Sequence, residues 1–374
     1  MKKIGFIITY EKGATLNRIL SMINVFKGYE IHLIGPINNI NNYSDYITNK
    51  NIIFHKINLL PKKSNFFLRY IYELIYSMKC SREMKKIKCD LEIISIPFIS
   101  LIISSFFFKS RSMRILDIRD LVWEYYDKTS NIQKLIFFLL KKIHLLFFYN
   151  FKFVLFTNKY EFEILKKDFP DLKKNIISNG ISKIKFDLIQ NSIKKKILID
   201  KKKTIIYVGN IGFAQNLLDF IDTIRFHKKL EFILVGSGND LNRLINYVQE
   251  NKIKNVKFIG NVPENKTIKY YYKANYLYAK LDKKFFSAIP SKLYEYLSTG
   301  KKIIYSGNGA AVELLKNFEN IYLVNDTKED LKKLFNKIEN EYEYELSTKN
   351  VDLIKKKFIR EKISLKLLNI LNEK

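Results

Sequence analysis

The chain is punctuated by short apolar runs separated by stretches of helical periodicity. Lys3 to Thr9 is almost continuously apolar, the pattern of a strand buried on both faces rather than one with a wet side. Leu16 to Phe26 follows with helical spacing, and Tyr29 to Gly35 reads as a second strand. Further strands are predicted at 51–57, 90–96, 112–118, 153–158 and 175–178, with helical patterns between most of them. A second series starts at TIIYVG (204–209), EFILVG (231–236) and VKFIG (256–260), separated by helical stretches 216–229 and 239–252. Strands at 276–279, 302–306 and 321–324 and helical stretches 328–340 and 351–372 complete it. Such βα alternation predicts parallel, doubly wound sheets, one in each half. Between the halves, Ile181 to Lys203 turns polar and lysine-rich. The expected organisation is therefore α/β, two Rossmann-like domains facing a central cleft. They are expected at 1–187 and 188–354, with a C-terminal helix at about 355–374 packing back on the first.

One stretch of the second half carries candidate chemistry. In Ile289 to Gly300, Pro290 suits the first turn of a helix and Gly300 its stop. Leu293, Tyr296 and Leu297 repeat at core-facing spacing, while Ser291 and Glu295 share another face. A helix start offers free N–H groups and partial positive charge, which favour a phosphate. One turn on, roughly 6 Å at ~1.5 Å rise per residue, the Glu295 carboxylate could accept hydrogen bonds from a ribose diol, with Lys292 at the mouth. A capped surface helix with an exposed glutamate fits the same residues. Glycine ends several strands of this half, Gly209 and Gly236 among them, where it lets backbone approach a ligand closely. The first βα loop holds only Gly13, so the full GxGxxG dinucleotide fingerprint is missing.

Charge adds a constraint on partners. Against 37 Asp+Glu stand 66 Lys+Arg, a net charge of +29, which invites nucleic acid, an acidic membrane surface or phosphorylated substrates. FFLRYIYELIYSM (66–78) and IQKLIFFLLKKIHLLFFYNFK (132–152) combine aromatic and aliphatic residues with Lys and Arg. Such segments suit either an anionic membrane interface or a buried helix, and the net charge favours the first. Neither they nor the interrupted apolar run 92–108 makes an uninterrupted membrane span, and no secretory signal is read at the start. Cys80 and Cys89 and the four scattered histidines form no metal-ligand spacing, so no metal site is expected. The predicted strand ending near Ile118 is followed by Arg119, Asp120 and Trp123, the only tryptophan, where a doubly wound sheet presents ligand contacts.

The second half resembles the retaining glycosyltransferases of family 4, the group 1 glycosyl transferases with the GT-B fold. YVGNIGFAQNL (207–217), FILVGSGNDLNRL (232–244), NVKFIGNVP (255–263) and IPSKLYEYLSTGKKIIYSGNG (289–309) match in order. The first half matches more loosely, through MRILDIRDLVWE (113–124) and IISNGIS (176–182). The resemblance implies transfer of a sugar from a nucleotide donor, commonly a UDP-sugar, with retained configuration. The donor would bind the C-terminal domain and the acceptor mainly the N-terminal one. Glu295 matches the second Glu of the E-x7-E motif, which binds ribose. The backbone near Val262 would pair with the base, and the amides of Ser291 and Lys292 would lie near the diphosphate. Gly209, Asn210 and Gly236 join that nucleotide site, and Gly13, Arg119 and Ser287 the sugar sites.

Two departures stand out. Ser287 occupies the place of the first Glu, and Asn210 and Gln215 stand where many members carry a basic pair. Leaving-group charge then falls to Lys280, Lys284 or Lys292, with Lys280 preferred because it follows a strand end. Asp120 would orient the acceptor hydroxyl or donor sugar. Retaining transfer lets the leaving diphosphate help deprotonate the acceptor, so the protein mainly positions substrates and stabilises phosphate charge. No metal or other cofactor is expected. The acceptor implied is a saccharide, lipid-linked, in bacterial capsule, lipopolysaccharide or glycan-precursor assembly at the inner face of the cytoplasmic membrane. An epimerase acting on UDP-sugars with the same architecture is the nearest rival. A nucleic-acid-binding protein is disfavoured, because no recognised RNA or DNA module is present.

Overall fold

The computed structural model describes residues 1–9, 14–37, 49, 51–59, 66–108, 111–125, 131–193, 202–325, 327–341 and 345–372. The chain divides into two compact units, Met1–Asn179 with Arg360–Lys374, and Gly180–Ile359.

The first unit is built on seven strands: β1 (Lys3–Ile7), β2 (Glu30–Gly35), β3 (Ile52–Lys56), β4 (Leu91–Ile96), β5 (Met113–Ile118), β6 (Phe153–Phe156) and β7 (Asn175–Ile176). Their order is β3-β2-β1-β4-β5-β6-β7, every pairing parallel. Phe6, Ile31, Ile93, Ile115 and Phe156 are wholly buried, as the continuous apolar runs predicted. An ion pair runs through this interior. Arg18, on the helix Ala14–Ile23, reaches Asp117 of β5 at 2.7 Å through Nη2 and donates through Nη1 to the Ile177 carbonyl at 2.5 Å. The Ser95 hydroxyl also donates to Asp117, at 2.9 Å. The returning C-terminal segment is tied in by Arg360, whose Nε donates to the Asn179 carbonyl at 2.8 Å, and by a 3.1 Å bond between the hydroxyls of Ser364 and Ser21.

The second unit holds six parallel strands: β8 (Lys203–Val208), β9 (Leu230–Val235), β10 (Val256–Gly260), β11 (Tyr276–Lys280), β12 (Lys302–Ser306) and β13 (Ile321–Val324). Their order is β10-β9-β8-β11-β12-β13, the doubly wound arrangement with its switch point between β8 and β11. Tyrosines are spent on the core: Tyr207, Tyr276 and Tyr278 are wholly buried on one side of the sheet, where Tyr278 stacks on Phe220 at 3.9 Å between centroids. Lys301 is buried too, its ammonium donating to the Tyr272 and Ala274 carbonyls at the end of the helix Ile268–Lys273.

Sequence and structure part at several places. The division at Asn179 lies before the lysine-rich tract, because the helix Lys183–Ile193 buries Phe186 and Ile189 in the second unit's core. Part of the tract, 194–201, falls outside the described residues. The interrupted run 92–108 is resolved into β4 and the helix Ser100–Phe107, in which Ser100 and Ser104 hydrogen-bond to Ser77 and Ser81 at 2.8 Å. The stretch predicted as one helix at 351–372 is three helices, Thr348–Lys357, Arg360–Ser364 and Lys366–Asn372. The first break falls where the Phe358 carbonyl accepts the Ile181 N–H at 2.9 Å and Ile359 pairs with Ile181. Cys80 and Cys89 are buried free thiols.

Removing Arg18 leaves the Asp117 carboxylate buried without its cation. Arg18→Met is expected to cost the first unit about 3–5 kcal/mol. Urea unfolding followed by the fluorescence of Trp123, which lies in that unit, measures it; an unchanged midpoint would contradict the role given to the pair.

Candidate functional site at the carboxyl ends of the second sheet

Gly209 follows β8 directly, at φ +138°, and Gly236 follows β9 at φ +142°. A methyl group on Gly236 would lie 1.9 Å from the Gly209 carbonyl oxygen, so this approach of two strand ends requires glycine. A Cβ on Gly209 would meet the Lys292 ammonium nitrogen at 2.7 Å. Lys292 therefore sits over the bare backbone at the end of β8, beside the switch point of the sheet.

Its other contacts come from Tyr207. The Lys292 ammonium donates to the Tyr207 hydroxyl at 2.5 Å and lies 3.8 Å from the ring centroid, and that hydroxyl donates to the Asn210 carbonyl at 2.6 Å. Among the described residues Lys292 forms no ion pair. Burial pushes its pKa down to about 7, against the opposing pull of the Glu295 charge. A cation held in this way gains most from an incoming anion.

The helix itself is shorter than the sequence suggested, running from Lys292 to Leu297. Leu293 and Tyr294 donate to the Pro290 and Ser291 carbonyls at 3.0 and 3.2 Å, a tight opening turn. Among the described residues, the N–H groups of Ser291 and Lys292 have no backbone acceptor, and the half-buried Ser291 side chain caps nothing. Six residues align few peptide dipoles, so positive potential at this point comes chiefly from these amides and the Lys292 ammonium. Leu293, Tyr296 and Leu297 are wholly buried, as their spacing predicted, and the Val208 N–H donates to the Tyr296 hydroxyl at 2.9 Å, fixing the helix against β8.

Glu295 is 24% exposed. Its Oε2 accepts the Tyr271 hydroxyl at 2.5 Å and lies 3.5 Å from the Lys185 ammonium. Lys185 also reaches Glu264 Oε1 at 3.3 Å, in the turn after β10, two residues beyond the half-buried Val262. Tyr207, Tyr271 and Lys185 were not singled out from the sequence: Tyr207 is bonded to a residue 85 positions away, and no local signal marks such a pairing.

The remaining second-unit candidates surround the loop after β8. Asn210 Nδ2 donates to Gln215 Oε1 at 3.1 Å, and the same oxygen accepts the Gly212 N–H at 3.1 Å, so these two polar residues hold the loop. Lys280, 2% exposed, donates to the Asn216 carbonyl at 2.6 Å and fastens the far end of that loop to β11. Ser287 is wholly buried, and Lys284 lies 5.5 Å from the Phe285 ring.

In the first unit, Gly13 lies outside the described residues. Arg119 is buried and donates to the Thr15 hydroxyl. Asp120 is half-buried, and desolvation pushes its carboxyl up to about 6 despite the opposing Arg119 charge. Glu161, not foreseen, is wholly buried; its Oε2 accepts the Thr157 N–H and hydroxyl, both at 2.8 Å. Burial, with a contribution from the Asp120 charge, raises it well above the carboxylate range. Its one sequence signal is the Asn158-x-x-Glu161 cap, in which Asn158 Oδ1 accepts the Tyr160 and Glu161 N–H groups at 2.9 and 3.2 Å. Among the described residues no group of three or more His, Cys, Asp or Glu is placed to hold a metal ion.

Residues 189–356 match the family described as Glycosyl transferases group 1, nearly the whole second unit. A search of curated proteins finds no match. Among solved structures, a sucrose-phosphate synthase from Thermosynechococcus elongatus is similar at 13% identity and TM-score 0.75, covering 100% of this chain and 99% of its own. The Anabaena protein HepE in complex with UDP and glucose is similar at 13% identity and TM-score 0.73, covering 100% of each chain. An alpha,alpha-trehalose 6-phosphate synthase from Burkholderia multivorans follows at 7% identity and TM-score 0.71, over 99% of this chain and 95% of its own. The structural likenesses carry the fold, GT-B with two Rossmann-like parallel-sheet domains. The family match carries the activity class: the chain is a glycosyltransferase.

The raised carboxyl groups of the first unit give a pH signature. A carboxyl held above its unfolded value favours the native state only while protonated, so stability is lost as pH rises from about 4 through the raised values. Glu161→Gln keeps the shape and removes that ionisation. Its melting temperature, followed by Trp123 fluorescence, is expected to exceed that of the parent by a margin that widens between pH 5 and pH 8; a constant margin would contradict the assignment.

Proposed function

We propose that this glycosyltransferase moves a sugar from a UDP-sugar to a saccharide acceptor with retention of configuration, as the family 4 resemblance implies. The observation that carries it is the Lys292 ammonium, desolvated against Tyr207 directly over Gly209, on the same short helix as Glu295. The diphosphate would rest on Gly209, Gly236, the Ser291 and Lys292 amides and the Lys292 charge. Glu295 would take the ribose diol and the backbone near Val262 the base. That HepE is described with UDP and glucose supports a uridine donor.

Catalysis would rest on charge stabilisation at the leaving diphosphate. Lys292 is the better placed cation for it, and Lys280 would act by fixing the loop of Asn210 and Gln215. Donor-sugar contacts would fall to the neighbourhood of Ser287. With ammonium and amide groups meeting the phosphates, no metal is proposed. Asp120, with Arg119 and the Gly13 loop, would orient the acceptor hydroxyl, and a carboxyl group with pKa near 6 can accept a proton at neutral pH. The acceptor is proposed to be lipid-linked and the setting bacterial surface-glycan assembly. The helix Asn131–Leu146 supports it, exposing Leu135, Phe138, Leu139, Ile143 and Leu146 on one side, with the exposed Lys134 and Lys142 on the same helix. No helix among the described residues is long and apolar enough to cross a membrane, so the association proposed is peripheral, on the inner face of the cytoplasmic membrane. An epimerase would convert the UDP-sugar without an acceptor, and product analysis separates the two.

Calorimetry with UDP should show affinity weakening as pH rises above about 7, where Lys292 loses its proton. Lys292→Met should bind about tenfold or more weakly and lose that pH dependence. Transfer should survive EDTA. Absence of binding by any nucleoside diphosphate would refute the donor site.

Flotation with phosphatidylglycerol vesicles should carry the protein, and the Phe138→Glu/Leu139→Glu pair should stay in solution. Equal behaviour of the two proteins would remove this helix from the membrane contact.

A further inference from the structure

Among the described residues, Glu295 is held by its neighbours on one side only. Both the Tyr271 hydroxyl, at 2.5 Å, and the Lys185 ammonium, at 3.5 Å, converge on Oε2. A carboxylate offers two oxygens and about four lone-pair directions. Spending one oxygen on two buried donors fixes the plane of the group and leaves Oε1 as the oxygen for a ligand. Tyr271 is 2% exposed, and burial with the adjacent Glu295 charge raises its phenol well above the ordinary value, so it remains a donor across the working pH range.

Lys185 extends the arrangement. Its backbone N–H donates to the Ser182 hydroxyl oxygen at 3.2 Å, in the first turn of the helix Lys183–Ile193. Its ammonium, 5% exposed, reaches the Glu264 carbonyl at 3.4 Å, Glu264 Oε1 at 3.3 Å and the Thr267 hydroxyl at 3.5 Å, as well as Glu295. One cation thus joins three pieces of chain: its own helix, the turn two residues beyond Val262, and the helix of Glu295. If Val262 marks the base and Glu295 the ribose, Lys185 fixes the distance between those two contacts.

We propose that Tyr271 and Lys185 are the positioning residues of nucleoside recognition, presenting Glu295 Oε1 to the 2′,3′-diol of a ribonucleoside diphosphate and holding it in register with the base-binding turn. This rests on the donor-site proposal and deepens it. A pre-set carboxylate accepts from a diol without first losing its own rotational freedom. A released one is free to turn to water, and the preference for a diol falls away.

The test compares UDP with 2′,3′-dideoxy-UDP by calorimetry, since a purely structural role would weaken both equally. The parent should prefer UDP by on the order of tenfold to a hundredfold, the scale of one or two hydrogen bonds to a charged group. Tyr271→Phe and Lys185→Met should each reduce that preference to about threefold or less, chiefly by weakening UDP, while Lys185→Arg should retain most of it. Circular dichroism melting establishes that each variant folds, and if Tyr271→Phe does not, Lys185→Met decides. A preference unchanged in folded variants overturns the positioning role and leaves the donor site standing. Equal binding of the two nucleotides by the parent overturns the placement of Glu295 at the diol. A parent that binds neither refutes the donor site itself, and this proposal with it.

Discussion

A lysine ammonium resting on a tyrosine, above a glycine that admits nothing larger, is the constraint around which the second unit is arranged. Lys292 sits at the opening of a helix too short to supply much potential of its own, so the cation has to be brought there by a side chain. Tyr207 receives it, Gly209 leaves room for it, and Gly236 lets the two strand ends close beneath it. Burial brings its pKa down to about 7 against the opposing pull of the Glu295 charge, which makes the site responsive to a phosphate. The wholly buried Tyr296 and Leu297 hold the helix that carries it.

Sheet topology explains why this happens where it does. The six strands reverse direction of winding between β8 and β11, and the loops leaving these strands part there. Lys280 at the end of β11 is spent on tying the loop after β8, and Asn210 and Gln215 are spent on each other. Residues that the family resemblance marks for direct ligand contact thus have structural employment here. The first unit concentrates its polar interior differently. An ion pair between Arg18 and Asp117 is buried in its interior, and Asp120 and Glu161 are carboxyl groups whose ionisation opposes folding.

Much of the fold was legible because each sheet is buried on both faces. Continuous apolar runs such as Lys3–Ile7 and Leu230–Val235 can be read without knowing their neighbours. Helices made of serine and phenylalanine, such as Ser100–Phe107, were not, because their polar groups find partners on another helix. In the site, Glu295, Lys292 and the strand-ending glycines carried local signals of spacing and turn chemistry. Tyr271 and Lys185 did not, since a hydroxyl or ammonium becomes significant only through what the fold sets beside it. Gly13 lies outside the described residues, so the loop proposed for the acceptor stands on the sequence alone.

A crystal structure of the protein grown with UDP tests the central claim most directly. The ribose hydroxyls are expected within hydrogen-bond distance of Glu295 Oε1, about 2.7–3.0 Å, with diphosphate oxygens against the Lys292 ammonium and the backbone at Gly209. Nucleotide density elsewhere in the molecule, or a Glu295 carboxylate left without contact to a bound ribose, would contradict it.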